Sequence, residues 1–283
     1  MADGGDRSIY GGDYRINSLA VIIGPYRNLS TLTAATLSLH PQIQVMNHGL
    51  ERLLADPLAN FIASPEQPTL HRFIETALSE SSAGRRGTYG GSILLSHAFD
   101  SSTMRDMYEQ RFGDSKIKEA PTCLVLKDSM RFQNAVAGSK KDISDIVTSL
   151  PKLFLLLPIR NPLDCAMSNL ETGYIAHLGR PRDVSLEDAV GAVLTTIREG
   201  LELADKHPGR VMHFTENDAP PELLRRCATF LNVSTDERWL NDASRAFRIR
   251  SKSRDMADLK MMHRKARSIL GRWPSTLAAL GIE

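Results

Sequence analysis

The sequence is poor in cysteine, with three among its 283 residues, and the three lie far apart. Cys123, Cys165 and Cys227 form no Cys-x-x-Cys pair, so we expect neither a zinc site nor a disulfide framework. A few scattered, unpaired cysteines are typical of proteins from a reducing compartment. We therefore predict a cytoplasmic protein that binds no metal.

Long apolar runs are missing as well. No stretch approaches the roughly 20 apolar residues of a transmembrane helix. The first 15 residues are acidic and rich in glycine, and they lack the basic start and the apolar core of a secretory signal. We expect a soluble chain without an integral membrane segment, in which a flexible tail over residues 1–16 precedes a single domain over residues 17–283.

Charge of one sign is not in large excess either. The chain carries 35 Lys and Arg residues against 33 Asp and Glu residues, a formal net charge of +2. Proteins that bind nucleic acids usually present a strongly basic surface, so we expect no nucleic-acid partner. With 42% hydrophobic residues the chain can bury an ample core. The sequence leaves the oligomeric state open.

Short apolar segments alternate with amphipathic segments along the chain. This alternation predicts an α/β fold, in which a central, mostly parallel sheet is flanked by helices. The predicted strands are residues 19–23, 43–46, 93–95, 122–126, 153–157 and 211–214. The predicted helices are residues 30–39, 67–79, 143–150, 162–172, 185–206 and 220–231. The stretch from about residue 242 is expected to cover the ligand cleft.

The first predicted strand ends abruptly at Gly24 and Pro25, and a helix begins a few residues later. The N-terminus of a helix directs unpaired N–H groups and a positive dipole at one point, which suits phosphate or sulfate. The turn lacks the Gly-Lys-Ser/Thr ending of a Walker A loop, which argues against a nucleoside triphosphatase. The polar residues that could meet an anion there are Arg27, Asn28, Ser30 and Thr31.

Two further predicted strands are followed by a basic residue, Lys127 and Arg160. In open parallel sheets the ligands bind beyond the carboxyl ends of the strands. We therefore expect residues 24–31, 127–129 and 160–162 to line one cleft.

The turn resembles the opening of sulfotransferases that use 3′-phosphoadenosine 5′-phosphosulfate (PAPS) as donor. Their pattern is G-x-x-R-S-G-[ST]-T-L followed by H-P one helix later. Asn28 and Leu29 replace the usual Ser and Gly of this pattern. The positions that match it are Gly24, Arg27, Ser30, Thr31, His40 and Pro41.

Two other segments resemble the same family. Residues 160–168 match R-[DN]-P-x-D-x-x-x-S, the element that grips the 3′-phosphate of the nucleotide. Residues 127–129 resemble a strand that ends in Lys-[DST]-Pro, in which the lysine faces the transferred sulfate. The resemblance runs from about residue 19 to residue 233 and implies the P-loop-like nucleotide-binding fold of bacterial and Golgi-type sulfotransferases.

The resemblance also implies roles for individual residues. Arg160 and Ser168 would bind the 3′-phosphate, and a basic loop near the C-terminus, with Arg250 and Lys252, would close over it. Arg27 and Lys127 would stabilise the charge on the transferred sulfuryl group. The residues of the turn that would contact the donor are Arg27, Asn28, Leu29, Ser30 and Thr31.

Transfer to a hydroxyl or amine acceptor also needs a base that takes the proton of the acceptor. Related enzymes place Glu or His shortly after the second strand, where this sequence has His48. Glu51 and His97 remain alternatives for this role. The products of the transfer would be the sulfated acceptor and adenosine 3′,5′-bisphosphate (PAP). The acceptor, a small molecule, a glycan or a lipid, cannot be read from residues 56–67 and 85–99, which would recognise it.

Two other functions stay open at the level of sequence. The first is a kinase or other P-loop-like nucleotide enzyme. The second is a catalytically inactive sulfotransferase-like binding protein, because Leu29 stands where a glycine lets the backbone approach phosphate. Several residues also have ordinary structural alternatives: helix capping by Ser30 or Thr31, and core packing by His40, Trp239 and Trp273.

Overall fold

The computed structural model describes residues 16–85, 90–249 and 254–282. Its strands are β1 (Ser18–Ile22), β2 (Ile43–Asn47), β3 (Cys123–Lys127), β4 (Leu153–Ile159) and β5 (Val211–Thr215). They form one sheet in the order β2-β3-β1-β4-β5, and every neighbouring pair is parallel. The predicted α/β fold with a parallel sheet is confirmed, and each of these strands ends within two residues of its predicted bounds.

Helices cover both faces of the sheet. The six predicted helices are present within one residue of their predicted bounds: α1 (Ser30–Ser38), α3 (Gln67–Glu80), α6 (Ile143–Ser149), α7 (Pro162–Thr172), α8 (Leu186–Lys206) and α9 (Pro220–Phe230). The others described are α2 (Leu50–Leu54), α4 (Ser102–Phe112), α5 (Met130–Gly138), α10 (Glu237–Ala246), α11 (Met256–Leu270) and α12 (Pro274–Ala279).

The central strand β1 is buried on both faces. Leu19 and Val21 belong to a core cluster that includes side chains of α3, α5 and α8. Ala20 and Ile22 belong to the cluster on the other face, which includes side chains of α1, α9 and α10. Successive strand residues point to opposite faces, and here both faces are apolar. This explains why the strand is a continuous apolar run and does not alternate with polar residues.

The strand order creates a crevice at the end of β1. The chain passes from β1 through α1 to β2 on one side, and from β3 it returns across β1 to β4 on the other. In doubly wound sheets, such a reversal opens a crevice at the carboxyl ends of the strands. The ends of β1, β3 and β4 are therefore neighbours.

Residues 93–95 form a 3₁₀ helix (Ile93–Leu95), and the strand predicted for them was wrong. The chain does run antiparallel beside β2 for one isolated bridge, between Met46 and Ser92. The Ser92 hydroxyl then accepts a hydrogen bond from the Leu94 N–H, which stabilises the helical turn. Three apolar residues are too short a run to distinguish a strand from a turn of helix.

His40 and both tryptophans pack in the core. The Trp239 indole N–H donates to the Thr36 carbonyl at 3.0 Å, and the His40 ring meets the Trp239 ring edge-on at 4.7 Å. The Trp273 indole N–H donates to Asp205 at 3.0 Å. The structural alternatives for these three residues therefore describe them correctly.

The cysteines are buried free thiols, as expected for a chain without disulfides. Burial raises the pKa of each of them to about 12. No helix in the described part of the chain is both long and apolar enough to cross a membrane. Within the same residues, no group of three or more His, Cys, Asp or Glu side chains could hold a metal ion.

Lys118 is a buried lysine in the loop before β3. It is 4% exposed, and its Nζ lies 2.9 Å from the centre of the Phe112 ring and 4.1 Å from that of Tyr108. Its Nζ makes no hydrogen bond with the described residues. Burial, together with the nearby Arg111, lowers the pKa of Lys118 to about 6. The amine is therefore mostly uncharged in the folded protein at neutral pH.

We expect Lys118→Met to stabilise the protein at pH 7 and to remove part of its pH dependence. The unfolded chain keeps the Lys118 proton up to a pKa of about 10.4, whereas the folded protein loses it above about 6. Stability therefore rises between these values by up to about 1.4 kcal/mol per pH unit. Urea unfolding of the parent and the variant at pH 7, 8 and 9 measures this slope.

The exposed Lys116 in the same loop provides the control, and Lys116→Met should leave the slope unchanged. Equal slopes in the parent and Lys118→Met would contradict an uncharged amine at position 118.

Candidate active site

A cleft of about 460 Å³ opens at the carboxyl ends of β1, β3 and β4. The three segments that the sequence predicted to meet all contribute to its lining. The basic side chains of the lining are Arg27, His48, His97, Lys127, Arg131 and Arg160. No carboxylate belongs to the lining among the residues that the structure describes. The cleft is thus suited to a strongly anionic ligand.

The loop between β1 and α1 has a backbone that favours glycine at several positions. Gly24 has a φ of 101°, and a Cβ there would lie 2.8 Å from Leu157. Arg27 and Leu29 also have positive φ values, 64° and 62°. A left-handed backbone costs a residue other than glycine roughly 1–2 kcal/mol. The sulfotransferase motif that this loop resembles has glycine at position 29, which adopts a left-handed backbone without this cost. Leu29 adopts the same backbone with the strain.

Asn28 ties this loop to the end of β4. Its side chain is buried, its Nδ2 donates to the Pro158 carbonyl, and its Oδ1 accepts from the Arg160 N–H at 2.7 Å. Asn28 therefore lies behind the cleft and fixes Arg160 relative to the loop. A contact between Asn28 and the donor stays a prediction. Because the side chain is occupied, the backbone of Asn28 would have to make that contact.

Arg27 and Ser168 contact one another. The Arg27 Nε donates to the Ser168 Oγ at 2.9 Å, and Ser168 is buried in α7. The Tyr26 carbonyl accepts from Asn169 at 2.7 Å and from the Cys165 thiol at 3.2 Å. Helix α7 thus holds the loop from one side. Ser168 lies behind Arg27, outside the lining of the cleft, and its predicted role in binding the 3′-phosphate remains untested.

Hydroxyl groups lie at the N-terminus of α1. Ser129 donates to the Ser30 Oγ at 2.9 Å, and Thr31 lines the cleft beside them. Ser129 has a φ of 49° and a ψ of −133°, a conformation that is rare outside glycine. The turn after β3 therefore holds Ser129, in a strained conformation, against Ser30, the first residue of α1.

Arg160 lies beside a buried carboxylate. Asp164 has no exposed side-chain surface; it accepts two hydrogen bonds from Arg254, at 2.8 and 2.9 Å, and lies 3.5 Å from the Arg160 Nη2. Glu216 lies 3.8 Å from Arg254. The hydrogen bonds with Asp164 raise the pKa of Arg254.

Arg254 belongs to the basic run that the sequence places near the 3′-phosphate, but the sequence did not predict its pairing with Asp164. Asp164 fits the first turn of a helix by itself, so it gave no signal of a partner 90 residues away. Arg250 and Lys252 lie outside the described residues, and the basic loop remains a prediction. Arg254 is described, and it contacts Asp164, which also lies beside Arg160.

Lys127, His48 and Asp128 form a continuous chain of contacts. The Lys127 Nζ lies 2.8 Å from the His48 Nε2, and the His48 Nδ1 lies 3.1 Å from the Asp128 Oδ1. Burial lowers the pKa of Lys127 to about 8. Burial also lowers the pKa of His48, and Lys127 and Arg131 act in the same direction. Asp128 is the partner that sequence reasoning missed, because β2 and β3 are distant in sequence.

The two alternatives to His48 differ in position. Glu51 is exposed, lies outside the lining and accepts a hydrogen bond from Arg131 at 3.0 Å. His97 lines the cleft. His48 and His97 are therefore better placed than Glu51 to meet an acceptor.

We expect Asn28→Ala to destabilise the protein by about 1–3 kcal/mol, because it leaves the buried Pro158 carbonyl of β4 and the partly buried Arg160 N–H without their partner. Thr31→Ala in the same loop removes a half-buried hydroxyl and is the matched control, with a change within about 0.5 kcal/mol. Urea unfolding measures both. Equal losses in the two variants would contradict the tie between the loop and β4.

Comparisons with known proteins found solved structures of low sequence identity. Neither a family model nor a curated protein sequence matches the chain. A sulfotransferase from Alicyclobacillus acidocaldarius is 17% identical, with 93% of this chain and 96% of that chain covered and a TM-score of 0.43. The sulfotransferase domain of the Synechococcus PCC 7002 olefin synthase is 14% identical, with 89% and 96% covered and a TM-score of 0.41.

A third solved structure, a sulfotransferase from Mycobacterium avium, is 10% identical, with 92% of this chain and 76% of that chain covered and a TM-score of 0.44. All three are sulfotransferases, the family that the motifs of this sequence resemble.

Proposed function

We propose that the protein transfers a sulfuryl group from PAPS to a hydroxyl or amine acceptor in this cleft. The observation that carries the proposal is the convergence of Arg27, Lys127 and Arg160 on one cleft at the N-terminus of α1. Each of the three occupies the position that it has in a sulfotransferase motif. A helix N-terminus and three cations form a site for a ligand with several negative charges.

The residues present fit such a donor. PAPS carries a phosphosulfate and a 3′-phosphate, and the lining of the cleft offers cations and hydroxyls without a carboxylate among the described residues. Arg160 would bind the 3′-phosphate with its guanidinium. Ser30 and Thr31, with the N–H groups at the start of α1, would bind the phosphosulfate. PAPS supplies an activated sulfuryl group, so the protein has to position it and stabilise charge.

Arg27 and Lys127 would stabilise the negative charge that spreads over the sulfuryl oxygens during in-line attack. His48 would take the proton of the acceptor as the new O–S or N–S bond forms. The bond between sulfur and the phosphate oxygen would break, and its electron pair would leave with PAP. His97 is the alternative base within the same lining.

A kinase is the competing enzyme. Kinases hold Mg²⁺ with one or two carboxylates beside the phosphates. The cleft lining of the described residues has none, and the loop lacks the Walker A lysine. The third possibility, a binding protein without turnover, shares the donor site and differs in rate alone.

We expect Arg160→Ala to weaken PAP binding by roughly 10- to 100-fold, because a hydrogen bond to a charged group contributes about 1.5–3 kcal/mol. The fold should survive, since Asp164 keeps both hydrogen bonds from Arg254. Calorimetric titration with PAP, and with ATP as the competing ligand, measures the affinity. Arg264→Ala on the exposed face of α11 is the matched control.

Parent-like PAP binding by Arg160→Ala would refute the assignment of the 3′-phosphate to Arg160. Tighter binding of MgATP than of PAP would favour the kinase.

Lys127→Ala and Arg27→Ala should each lower turnover by roughly 100-fold, with a much smaller loss of PAP affinity, because PAP lacks the sulfuryl oxygens. In the parent, kcat/KM should fall above a pH of about 8, where the Lys127 ammonium loses its proton, and Lys127→Arg should remove this decline. Labelled PAPS with a panel of acceptors gives the rates. Equal losses in turnover and PAP affinity would make both residues plain nucleotide ligands.

A further inference from the structure

We propose that Lys127, His48 and Asp128 form a donor-gated base: Asp128 fixes the imidazole, and Lys127 covers its Nε2 until the sulfuryl group of the donor draws the ammonium away. The inference rests on the proposed function and adds an order of events to it. An acceptor that arrives before the donor meets a base that cannot take its proton.

The contacts determine which ring nitrogen of His48 carries the proton. A lysine ammonium only donates hydrogen bonds, so the Nε2 at 2.8 Å from Lys127 has to accept. The ring proton is then on Nδ1 and is donated to the Asp128 Oδ1 at 3.1 Å. In this tautomer Nε2 carries the lone pair that a base needs. That lone pair, however, already accepts a hydrogen bond from the Lys127 ammonium.

Asp128 is positioned to hold this tautomer. Its side chain is 2% exposed, and its Oδ2 accepts from the Leu50 N–H at 2.8 Å. Both oxygens therefore accept, one from the ring and one from the backbone after it. Among side chains of this size, only a carboxylate can accept at both places.

The backbone keeps the two strand ends together. The His48 N–H donates to the Lys127 carbonyl at 3.1 Å, and His48 has a left-handed φ of 62°. Gly49 follows with a φ of 106°, where a Cβ would lie 2.5 Å from Met46. A residue stays in such a conformation only where its surroundings enforce it, and such strain is concentrated at functional sites. The imidazole is thus held, and the lysine is the movable partner.

Lys127 has a reason to move when the donor binds. It extends on a flexible stem of four carbons, and the α1 N-terminus beside it attracts the anion. Among the described residues, Asp128 and Lys127 from the end of β3 and Arg131 from α5 act on the charge of His48. Glu51 from α2 pairs with Arg131, Arg27 from the loop acts on Lys127, and His97 shares the lining. Among these, Lys127 is the cation in contact with the Nε2. A sulfuryl oxygen offers its ammonium a charged acceptor in place of a neutral ring.

The ¹⁵N resonances of His48 in the parent protein test the gate directly at pH 7. We expect the Nδ1–H tautomer in the free protein, and an Nε2 resonance that PAPS, without an acceptor, shifts to its position in free Lys127→Met. PAP lacks the sulfuryl group and should shift it much less. In Lys127→Met the pKa of His48 should be higher than in the parent, because a neighbouring cation is gone.

Asp128→Asn tests the positioning role. If the amide oxygen keeps the Leu50 N–H, the amide nitrogen faces Nδ1 and drives the ring proton to Nε2, against the ammonium. We expect the tautomer to invert, the rate to fall roughly 100-fold, and the PAP affinity to stay within about twofold. Asp142→Asn, which changes an exposed carboxylate at the start of α6, is the matched control.

The outcomes separate this inference from the function that it rests on. If PAPS is turned over but leaves the Nε2 resonance of the parent unmoved, the gate is wrong and the function stands. If Asp128→Asn has the tautomer, rate and pH profile of the parent, Asp128 is not part of the donor-gated base. If neither PAP nor PAPS binds, the proposed function fails, and the gate fails with it.

Discussion

The parallel pairing of β1 with β3 and β4 is the constraint on which the rest of the molecule depends. Ile22, the last residue of β1, pairs with Lys127 on one side and with Leu156 on the other. The hydrogen bonds between strands fix this register, so three turns have to begin at one edge of the sheet. One turn leads into a helix N-terminus, one follows a lysine, and one contains an arginine. The cleft is a consequence of that register.

Two buried carboxylates stabilise the cations of the cleft from behind. Asp128 contacts His48 and lies 3.8 Å from Arg131, and Asp164 contacts Arg160 and Arg254. A buried carboxylate is costly unless donors and cations surround it, so each aspartate requires the basic groups in front of it. His48, Arg131 and Arg160 are in turn held in place before any ligand arrives, so little of their conformational entropy is lost on binding.

Local patterns were enough to predict the sheet, six helices and the meeting of three strand ends, because apolar runs and their polar breaks are features of adjacent residues. The strand predicted for residues 93–95 was wrong because the Ser92 hydroxyl accepts from the Leu94 N–H and stabilises a helical turn directly after a single bridge. Contacts between distant residues left no pattern. Asp164 meets Arg254 across 90 positions, and His48 meets Asp128 across 80. The motifs named Asn28 and Ser168, and the structure locates both behind the lining.

Cys165 lies beneath the loop that carries the motif, with its thiol donating to the Tyr26 carbonyl. Its high pKa and its burial make it inert to alkylating reagents while the loop stays closed. The other two thiols lie in β3 and α9 and are buried as well, away from this loop. Alkylation of Cys165 would therefore measure how often α7 separates from the loop between β1 and α1, with Cys123 and Cys227 as internal references. Slower alkylation in the presence of an anion would measure how strongly the bound anion suppresses that separation.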